Sequence, residues 1–226
     1  YLITGGLGAL GLEMAEWLVR EGARKVILTS RSNPPDDTNK LVYSLKAGGA
    51  EVAVLLCDIS DKTRTTELID TIRRSYGPLA GIVHAAGVLD DGMLIQTNWD
   101  RFVNVLKPKV LGAIHLANAT KQDGLDFFIN FSSMASITGA QGQSAYSAAN
   151  AFLDTFAHVL QNHHISAISI NWGPWSGAGM AAGSEGRNRA RFAEMWLRAI
   201  SPAEGIEVFT NIFRSNLIQT GVLPIQ

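Results

Sequence analysis

The feature that most constrains the fold of this chain is a glycine turn placed directly between a short apolar run and an amphipathic helix. Residues 1–4 are apolar or β-branched, and the turn after them has the spacing Gly6-x-Gly8-x-x-Gly11. The next apolar residues recur three and four apart, as on one buried helix face: Leu10, Met14, Trp17 and Leu18. A strand, a glycine turn and a helix in succession predict a dinucleotide-binding unit, because these glycines permit a tight turn and close approach of the backbone to a pyrophosphate at the helix N-terminus.

Length and composition indicate one α/β domain and argue against several other classes of protein. The chain has 226 residues, of which 46% are hydrophobic and 17% charged, enough apolar residues for a sheet covered on both faces. A formal net charge of -1 makes nucleic acid and anionic membranes unexpected partners. No apolar run reaches the roughly eighteen residues of a membrane span, and no signal peptide is present. The single Cys57 cannot form an internal disulfide, which favours a reducing, cytoplasmic location.

Apolar runs alternate with helical patterns along the chain. The predicted strands after the first are residues 25–29, 51–57, 79–84, 126–131 and 165–171, and the predicted helices are 38–48, 61–76, one from residue 98, and 144–163. The run 51–57 is apolar throughout and is expected to be buried on both faces, while Pro108 predicts a kink or a fresh start in the helix from residue 98. The alternation predicts a Rossmann-like, doubly wound parallel sheet with helices on both faces, in a single domain.

The end of the second predicted strand carries the signal for the type of dinucleotide. Ser30 and Arg31 stand about twenty residues after the third glycine, where an NAD-binding unit carries Asp or Glu for the ribose 2′-hydroxyl. An arginine there accommodates the 2′-phosphate of NADP, and no acidic side chain occurs between Arg31 and Asp36. We therefore predict NADPH as the cofactor; the alternative is a solvated arginine at a strand end.

Two further polar residues near the predicted cofactor site each have two interpretations. Asp58 ends the third strand and either accepts a hydrogen bond from the adenine amino group or caps the next helix. His84 ends the fourth strand, where a packed, hydrogen-bonded core histidine is expected more often than a catalytic base. The small residues Ala85, Ala86 and Gly87 after it leave room for a cofactor.

The carboxyl edge of the sheet is the expected place for chemistry, because open α/β sheets bind ligands there. The fifth strand delivers Ser133 to that edge; thirteen residues later Tyr146 opens a helix, with Asn150 one turn along the same face. A phenol has an ordinary pKa near 10, so acid–base work at neutral pH needs a neighbouring cation, for which lysine is the natural supplier. The residues alone leave catalysis and packing both open for this set.

Several motifs are spread over nearly the whole chain. They are Thr4-Gly5-Gly6-Leu7-Gly8-Ala9-Leu10-Gly11, His84-Ala85-Ala86-Gly87, Lys109-Val110-x-Gly112-Ala113, Phe131-Ser132-Ser133, Tyr146-Ser-Ala-Ala-Asn150-Ala-Phe and Trp172-Gly173-Pro174-Trp175. Together they resemble the ketoreductase domain of a modular polyketide synthase, a branch of the short-chain dehydrogenase/reductases. Asn150 is the most specific match: ordinary members of the superfamily carry Lys four residues after the Tyr, whereas this branch carries Asn and takes its Lys from the preceding helix.

The resemblance implies a role for each residue of the catalytic set. Ser133 would hydrogen-bond the substrate carbonyl and Tyr146 would donate the proton. Lys109 would lower the pKa of that phenol and bind the nicotinamide ribose, with Lys107 as the alternative lysine, and Asn150 would hold the lysine or a relay water. We assign the following residues to the cofactor site: Thr4, Gly5, Gly6, Leu7, Gly8, Leu10, Ser30, Arg31, Asp58, Ile59, His84, Ala85, Ala86, Gly87, Lys109, Tyr146, Pro174 and Trp175.

A stereochemical preference also follows from the resemblance. Leu89-Asp90-Asp91 matches a triplet typical of domains that yield the D-configured β-hydroxyl, and Thr138 stands where the opposite group has Trp. Gln141 departs from the pattern, since D-producing domains often have Pro there. The triplet would orient the substrate together with Gln143 and Met180; the alternative is a solvated turn.

The family's substrates and partners extend the expectations beyond this chain. They are β-ketoacyl chains held as thioesters on the phosphopantetheine arm of an acyl carrier protein, and a degenerate structural subdomain usually precedes the complete ketoreductase. Because the chain begins without Met, directly in a strand, we expect a segment of a longer synthase that lacks this N-terminal subdomain. Residues 174–199 are expected to form a flexible lid, in which Arg187, Arg189 and Arg191 would meet an acidic carrier surface or form a solvated helix face.

The expected function of residues 1–226 is therefore NADPH-dependent reduction of a carrier-bound β-ketoacyl thioester to the β-hydroxyacyl thioester during polyketide chain extension, without a metal. Two alternatives belong to other classes of protein. One is a non-catalytic Rossmann scaffold, which the intact glycine turn and the complete Ser, Tyr, Lys and Asn set argue against. The other is an NADPH-sensing subdomain that regulates a partner.

Overall fold

One sheet of seven parallel strands organises the chain. The computed structural model describes residues 1–34, 36–47, 49–176 and 198–225. The strands are β1 (Leu2–Thr4), β2 (Lys25–Ser30), β3 (Glu51–Leu56), β4 (Gly81–His84), β5 (Phe127–Ser133), β6 (Ala167–Trp172) and β7 (Gln219–Val222). Their order across the sheet is β3-β2-β1-β4-β5-β6-β7, with every neighbouring pair parallel. The predicted doubly wound parallel sheet is confirmed.

Helices cover both faces of this sheet. They are α1 (Ala9–Arg20), α2 (Asp36–Ala47), α3 (Lys62–Tyr76), α4 (Trp99–Ala119), α5 (Ala135–Thr138), α6 (Ser144–Asn162) and α7 (Pro202–Phe213), with a short 3-10 turn at Leu94–Gln96. Successive strand residues point to opposite faces, so Ile3 packs in one core cluster with Met14 of α1, whereas Leu2 packs in the other with Ile69 of α3 and Leu116 of α4. Two buried layers explain why the central strands read as apolar runs.

Strand β3 is not buried on both faces, contrary to the prediction. It is the edge strand of the sheet, and although Val52 is buried, Leu56 is 51% exposed. Its neighbour β2 pairs on both sides and is buried from Val26 to Thr29. Position in the sheet decides the burial of an apolar run, and the run itself does not reveal that position.

Helix α4 runs without a break from Trp99 to Ala119 and contains Pro108, so the prediction of a fresh start at this proline is wrong. Proline in a helix interior costs about 3 kcal/mol. Packing of α4 against α3 and α6 offsets that cost, and Pro108 itself is buried. As a result Lys109 lies on the buried side of a continuous helix.

Helix α7 and strand β7 follow residue 198 and were not predicted. Helix α7 begins with a capping box between Ser201 and Glu204 and has Pro202 in its first turn, which is a sequence signal for a helix start. Strand β7 has the sequence Gln-Thr-Gly-Val and only partly covered residues, so it carries no apolar run that predicts a strand.

The order of the strands reverses at β1, which lies between β2 and β4. In such sheets the connections on the two sides of the reversal leave a crevice at the carboxyl ends of the strands, and ligands bind there. Gly5 follows β1, Ala85 follows β4 and Ser133 ends β5, so all three lie at this edge. In the ranges described, no helix is both long and apolar enough to cross a membrane.

The described residues near this edge stop at Ser176 and resume at Arg198. Trp175 and Ile200 form a parallel bridge, and the N–H of Ile200 donates to the carbonyl of Pro174 at 2.7 Å. The two ends of the intervening segment are therefore held side by side. Most of the predicted lid, including Met180 and the three arginines 187, 189 and 191, lies outside the described residues.

Candidate active site

An open groove lies at the carboxyl ends of β1, β2 and β4, where the strand order reverses. Its cavity volume is about 390 Å³, within the usual range of small-molecule sites. The predicted cofactor residues on its wall are Thr4, Gly5, Gly8, Leu10, Ser30, Arg31, Asp58, Ile59, Ala85, Ala86 and Gly87. Residues not assigned to the cofactor also line it: Ala9, Gly11, Thr29, Cys57, Val88 and Pro108. All six adjoin assigned residues in sequence; Pro108 precedes Lys109 and comes from α4.

Glycine is required at two points of the turn between β1 and α1. Gly5 has a φ of +64°, and a Cβ there would lie 2.8 Å from the carbonyl oxygen of Ala85. A Cβ on Gly11 would collide with the carbonyl oxygen of Gly5, so α1 can approach the turn only with glycine at this position. The residue with left-handed backbone is thus Gly5, one position before the Gly6-x-Gly8-x-x-Gly11 pattern to which the tight turn was assigned.

The amino end of α1 opens onto the groove. Gly8 is its N-cap without a side-chain capping bond, and a Cβ there would meet only the carbonyl oxygen of Gly5, at 3.2 Å. Open space on the groove side lets an anion approach the backbone N–H groups of the first helical turn, at the positive end of the helix dipole. The residues present therefore fit the pyrophosphate of a dinucleotide.

One cation and one anion flank the β2 and β3 side of the groove. Arg31 is exposed and follows β2, and Asp58 accepts hydrogen bonds from the Ser60 N–H at 3.0 Å and hydroxyl at 2.7 Å. Burial acts to raise the pKa of Asp58, but the Ser60 hydrogen bonds and the charges of Arg31 and Arg64 outweigh it and leave the pKa below its ordinary value. The N-cap of α3 is Asp61, so the capping interpretation of Asp58 is wrong.

His84 is a fully buried core residue, as the sequence favoured. Its Nδ1 lies 2.8 Å from the Thr4 hydroxyl and its Nε2 lies 3.2 Å from the carbonyl oxygen of Lys109. Burial and the charge of Lys109 lower the pKa of His84 to about 3, so the ring is neutral at neutral pH. The side chain links β1, β4 and α4 and does not reach the groove wall, so its assignment to the cofactor would have to involve the backbone.

Lys109, and not Lys107, lies beside Tyr146. The Lys109 Nζ is 5.7 Å from the centroid of the Tyr146 ring and donates to the Phe131 carbonyl at 2.8 Å. Lys109 is 2% exposed, whereas Lys107 is exposed to solvent. Burial lowers the pKa of Lys109 to about 7, against the opposing charge of Asp154. The ammonium and the neutral amine are therefore both populated near neutral pH.

Tyr146 meets Ser133 and Asn150 at the amino end of α6. Burial raises the pKa of Tyr146, hydrogen bonding to the side chains of Ser133 and Asn150 acts to lower it, and the charge of Asp91 raises it further. The net shift is upward, and Lys109 donates to a backbone carbonyl instead of the phenol, so the lowering of this pKa by Lys109 stays a prediction. The Asn150 Nδ2 donates to the Tyr146 carbonyl at 2.8 Å, while its buried Oδ1 has no partner in the described structure.

The predicted stereochemical triplet is held from both sides. The Nε of Arg101 lies 3.0 Å from each carboxylate oxygen of Asp90, and a second guanidinium nitrogen also contacts that carboxylate. On the other side, the Gln143 amide donates to the Asp91 carboxylate at 3.0 Å. Asp90, Asp91 and Gln143 line a narrow crevice that includes Tyr146. The triplet is therefore not a freely solvated turn, and Arg101, which holds it, was not predicted.

Trp175 lies in the core, although it was assigned to the cofactor site. It is 5% exposed, its ring centroid is 4.9 Å from that of Trp172, and it covers the place where a Cβ on Gly205 would stand. Its side chain therefore cannot contact a ligand in this structure without leaving the core. The other assigned residues that do not line the groove are Gly6, Leu7, His84, Lys109, Tyr146 and Pro174.

The fold and the side chains at its carboxyl edge define the class of protein. The structure superposes on a short-chain type dehydrogenase/reductase from Mycobacterium ulcerans with a TM-score of 0.83 over 98% of this chain and 86% of that chain, at 22% identity, which shows the fold. Within the described residues, no cluster of His, Cys, Asp and Glu suited to a metal occurs. The class is thus a short-chain dehydrogenase/reductase fold with a Ser, Tyr and Lys grouping.

Residues 1–177 match the family model "KR domain", and the chain belongs to this ketoreductase family. A ketoreductase domain from the bacillaene assembly line superposes with a TM-score of 0.95 and 35% identity, over 100% of this chain and 56% of that chain. A phenolphthiocerol/phthiocerol polyketide synthase polypeptide of Mycobacterium tuberculosis is 39% identical over 226 residues. These cover 100% of this chain but 12% of the relative, so the chain spans about an eighth of it. Membership implies a ketoreduction by an oxidoreductase with a nicotinamide cofactor.

Proposed function

We propose that the chain reduces a β-ketoacyl thioester, carried on the phosphopantetheine arm of an acyl carrier protein, to the β-hydroxyacyl thioester with NADPH. The observation that carries the proposal is the meeting of Ser133, Tyr146, Lys109 and Asn150, from β5, α6 and α4, at the edge where the groove opens. The bound nicotinamide would supply the hydride. Orientation of the ketone and supply of the proton fall to these side chains.

Ser133 and Tyr146 are the hydroxyl groups that would receive the ketone oxygen. This oxygen gains negative charge as the carbonyl is reduced, and donors already in place stabilise it. The raised pKa of Tyr146 keeps the phenol protonated through neutral pH, so the proton to be donated is present. Lys109 would stabilise the phenolate left behind, since a positive charge near the ring favours the ionised form. Asn150 would offer its unpartnered Oδ1 to this lysine or to a relay water.

The choice of NADPH rests on Arg31. Its guanidinium is exposed at the groove and free of a salt bridge in the part of the chain that is described. A planar guanidinium can pair with the 2′-phosphate through two parallel hydrogen bonds, and Ser30 beside it adds a second donor. Asp58 lines the same groove and would disfavour a second anion, so the proposal requires the pairing of the phosphate with Arg31 to outweigh this repulsion.

The product is proposed to be the D-configured β-hydroxyl. The support is the triplet at residues 89–91, whose Asp91 is tied to Gln143 beside Tyr146 and would border the path of the pantetheine arm. Reduction of a β-ketoacyl N-acetylcysteamine thioester, followed by chiral chromatography, tests this point. A predominantly L product would overturn the stereochemical proposal and leave the reductase proposal intact.

The test of the function is NADPH oxidation by the purified chain with the same thioester. We expect oxidation by the chain and a rate at least roughly 10²-fold lower with Tyr146→Phe. Binding of NADPH without oxidation would favour the sensor, and neither binding nor oxidation would favour the scaffold. The carrier protein, the neighbouring synthase domains and a cytoplasmic location belong to the same proposal, because the similar proteins include polyketide synthases.

A further inference from the structure

Asp154 is a buried carboxylate that the reaction proposed above leaves without a role. It is 6% exposed and lies on α6, one turn beyond Asn150 and two turns beyond Tyr146. It makes no salt bridge with any residue in the described ranges. Burying an unpaired charge costs several kcal/mol unless hydrogen bonds compensate it. The position of this carboxylate therefore needs an explanation.

Three neutral donors surround the carboxylate. The hydroxyls of Ser136 and Ser169 each lie 2.6 Å from one of its oxygens, and the Asn171 Nδ2 donates at 2.7 Å. They come from α5 and β6, so the carboxylate joins three elements behind the reacting groups. Hydrogen bonds to an ionised acceptor are about twice as strong as neutral ones, which suits this arrangement to a charged Asp154.

Two routes lead from this carboxylate to the catalytic residues. The Ser136 Oγ lies between the Asp154 carboxylate, at 2.6 Å, and the Ser133 carbonyl oxygen, at 2.8 Å, and its single proton can go to either acceptor. In both cases this hydroxyl packs Asp154 against the turn that carries the Ser133 side chain. The Asn171 Nδ2 lies 3.2 Å from the Ser132 hydroxyl, which donates to the Asn150 carbonyl at 3.2 Å. The carboxylate therefore anchors both walls of the site, the end of β5 and the first turns of α6.

The same carboxylate acts on Lys109 through its charge. It raises the pKa of Lys109 against the larger effect of burial. The other titratable groups facing this lysine in the described structure are His84 from β4 and Tyr146 from α6, both neutral near pH 7. From β5 the lysine meets only the Phe131 carbonyl. Asp154 is thus the only anion acting on Lys109 in the part of the chain described.

We propose that Asp154 is a positioning residue for the reduction: it fixes Ser133 and Asn150 relative to Tyr146, and its charge increases the fraction of Lys109 that is cationic. The inference rests on the proposed function, because it assigns Asp154 a task only if these residues act on a ketone. It also makes a claim about the lysine that is independent of turnover.

Asp154→Asn tests both parts, since it keeps the size of the side chain and removes the charge. We expect kcat to fall roughly 10- to 100-fold, because small displacements of reacting groups have effects of this size, while KM and NADPH affinity stay near those of the wild type. Without the carboxylate charge the pKa of Lys109 falls, so its ammonium group loses the proton at a lower pH than in the wild type. The alkaline limb of the kcat profile should therefore move to lower pH.

Ser169→Ala is the matched control. It removes one hydrogen bond to the same carboxylate, from β6, and keeps the charge. We expect a lower midpoint of thermal unfolding in both variants, but a shifted pH profile only in Asp154→Asn. A wild-type pH profile in Asp154→Asn, or equal kcat losses in the two variants, would reduce Asp154 to a structural residue and overturn the proposal.

Two further measurements keep the proposal testable if Asp154→Asn misfolds or if the wild type is inactive. Ser136→Ala breaks the route to Ser133 and keeps the charge, so kcat should fall with no movement of the alkaline limb; unchanged kcat would overturn the positioning claim. If the wild type does not oxidise NADPH, the proposed function fails by itself. An NMR titration of the Lys109 side chain then still tests the charge claim, which requires a lower lysine pKa in Asp154→Asn and is overturned by equal values.

Discussion

The two sides of the carboxyl edge are lined by different kinds of chemical groups. Along β1, β2 and β4, the groove wall consists largely of backbone and small side chains, with Gly5, Gly8 and Ala85 at its centre. Along β5 and β6, the wall is a set of polar groups joined by hydrogen bonds, from the Ser133 carbonyl through the Asn171 side chain to the Asp154 carboxylate. The first side is suited to binding a cofactor through its shape and its backbone N–H groups. The second side is suited to the reaction, because its side chains hold charges and exchangeable protons in fixed positions. Changes on the two sides should therefore affect different measurements.

Tyr146→Phe should produce the largest effect and confine it to the second side. Loss of the proton donor is expected to lower kcat roughly 10²- to 10⁴-fold, while the NADPH dissociation constant from fluorescence titration stays near that of the wild type. Ser133→Ala should be less severe. A large loss of NADPH affinity in Tyr146→Phe would show that the two sides are not separable in this way.

Gly5→Ala is the converse experiment on the first side. The substitution combines a left-handed φ of +64° with a Cβ 2.8 Å from the Ala85 carbonyl, so the groove must distort. We expect a loss of unfolding free energy of about 1–3 kcal/mol and a greatly weakened NADPH complex. Gly22→Ala is the control, because Gly22 has a φ of +98° with no atom near the added Cβ. It should lose stability without losing affinity, and equal affinity losses would contradict the prediction.

Arg31→Ala should change the choice of cofactor more than the reaction. A charge-assisted hydrogen bond contributes roughly 1.5–3 kcal/mol, or about one to two decades in affinity. The preference for NADPH over NADH, measured as the ratio of kcat/KM values, should therefore fall by about that factor, with kcat at saturating NADPH little changed. Equal use of both cofactors by the wild type would show that Arg31 is the solvated arginine of the alternative interpretation.

The last prediction concerns stability: Lys109→Met should change how the free energy of unfolding depends on pH. The unfolded chain holds the lysine proton up to a pKa of about 10.4, whereas the folded chain releases it at about 7. The unfolded state thus binds more protons above pH 7, and this group's contribution makes the wild type more stable as pH rises, by at most about 1.4 kcal/mol per pH unit. Between pH 7 and pH 9 the difference in unfolding free energy between wild type and variant should move in favour of the wild type.

Burial raises the pKa of the Cys57 thiol to about 11, which makes stability fall with rising pH once the unfolded thiol ionises. This contribution is common to both proteins and cancels in the difference. A difference that does not change with pH would mean that Lys109 keeps an ordinary pKa in the folded chain.

The first side of the site is also the one that the sequence describes well. The path of the backbone requires its glycines, so their spacing is visible as a local pattern in the sequence. Residues next to this pattern lie on the groove wall. The assignment still placed the left-handed residue one position late, because a spacing does not state which glycine has a positive φ. Asp58 and Asp61 show a similar limit. Both lie between the end of β3 and the start of α3, and only their hydrogen bonds show that Asp61 caps the helix while Asp58 lies in the groove.

The second side depends on contacts between segments far apart in the chain. Asn150 and Tyr146 share a helix and could be related by spacing, but Lys109 comes from α4, and Asp154 meets Asn171 only because β6 pairs with β5. Trp175 shows the opposite limit, since a motif position suggested a ligand contact, while packing against Trp172 buries the side chain and leaves only the backbone for such a contact. The network around Asp154 had no sequence signal, because buried hydrogen bonds between serine, asparagine and aspartate follow no period.

At the bridge between Trp175 and Ile200, backbone hydrogen bonds join Ile200 to Pro174 and Ser176, so the residues on either side of 177–197 lie next to each other. The entropy of closing a loop changes by only about 0.6 kcal/mol for each doubling of its length. Because of this bridge, we expect a change in the length of that stretch to leave β6, β7 and the placement of Tyr146 unaltered.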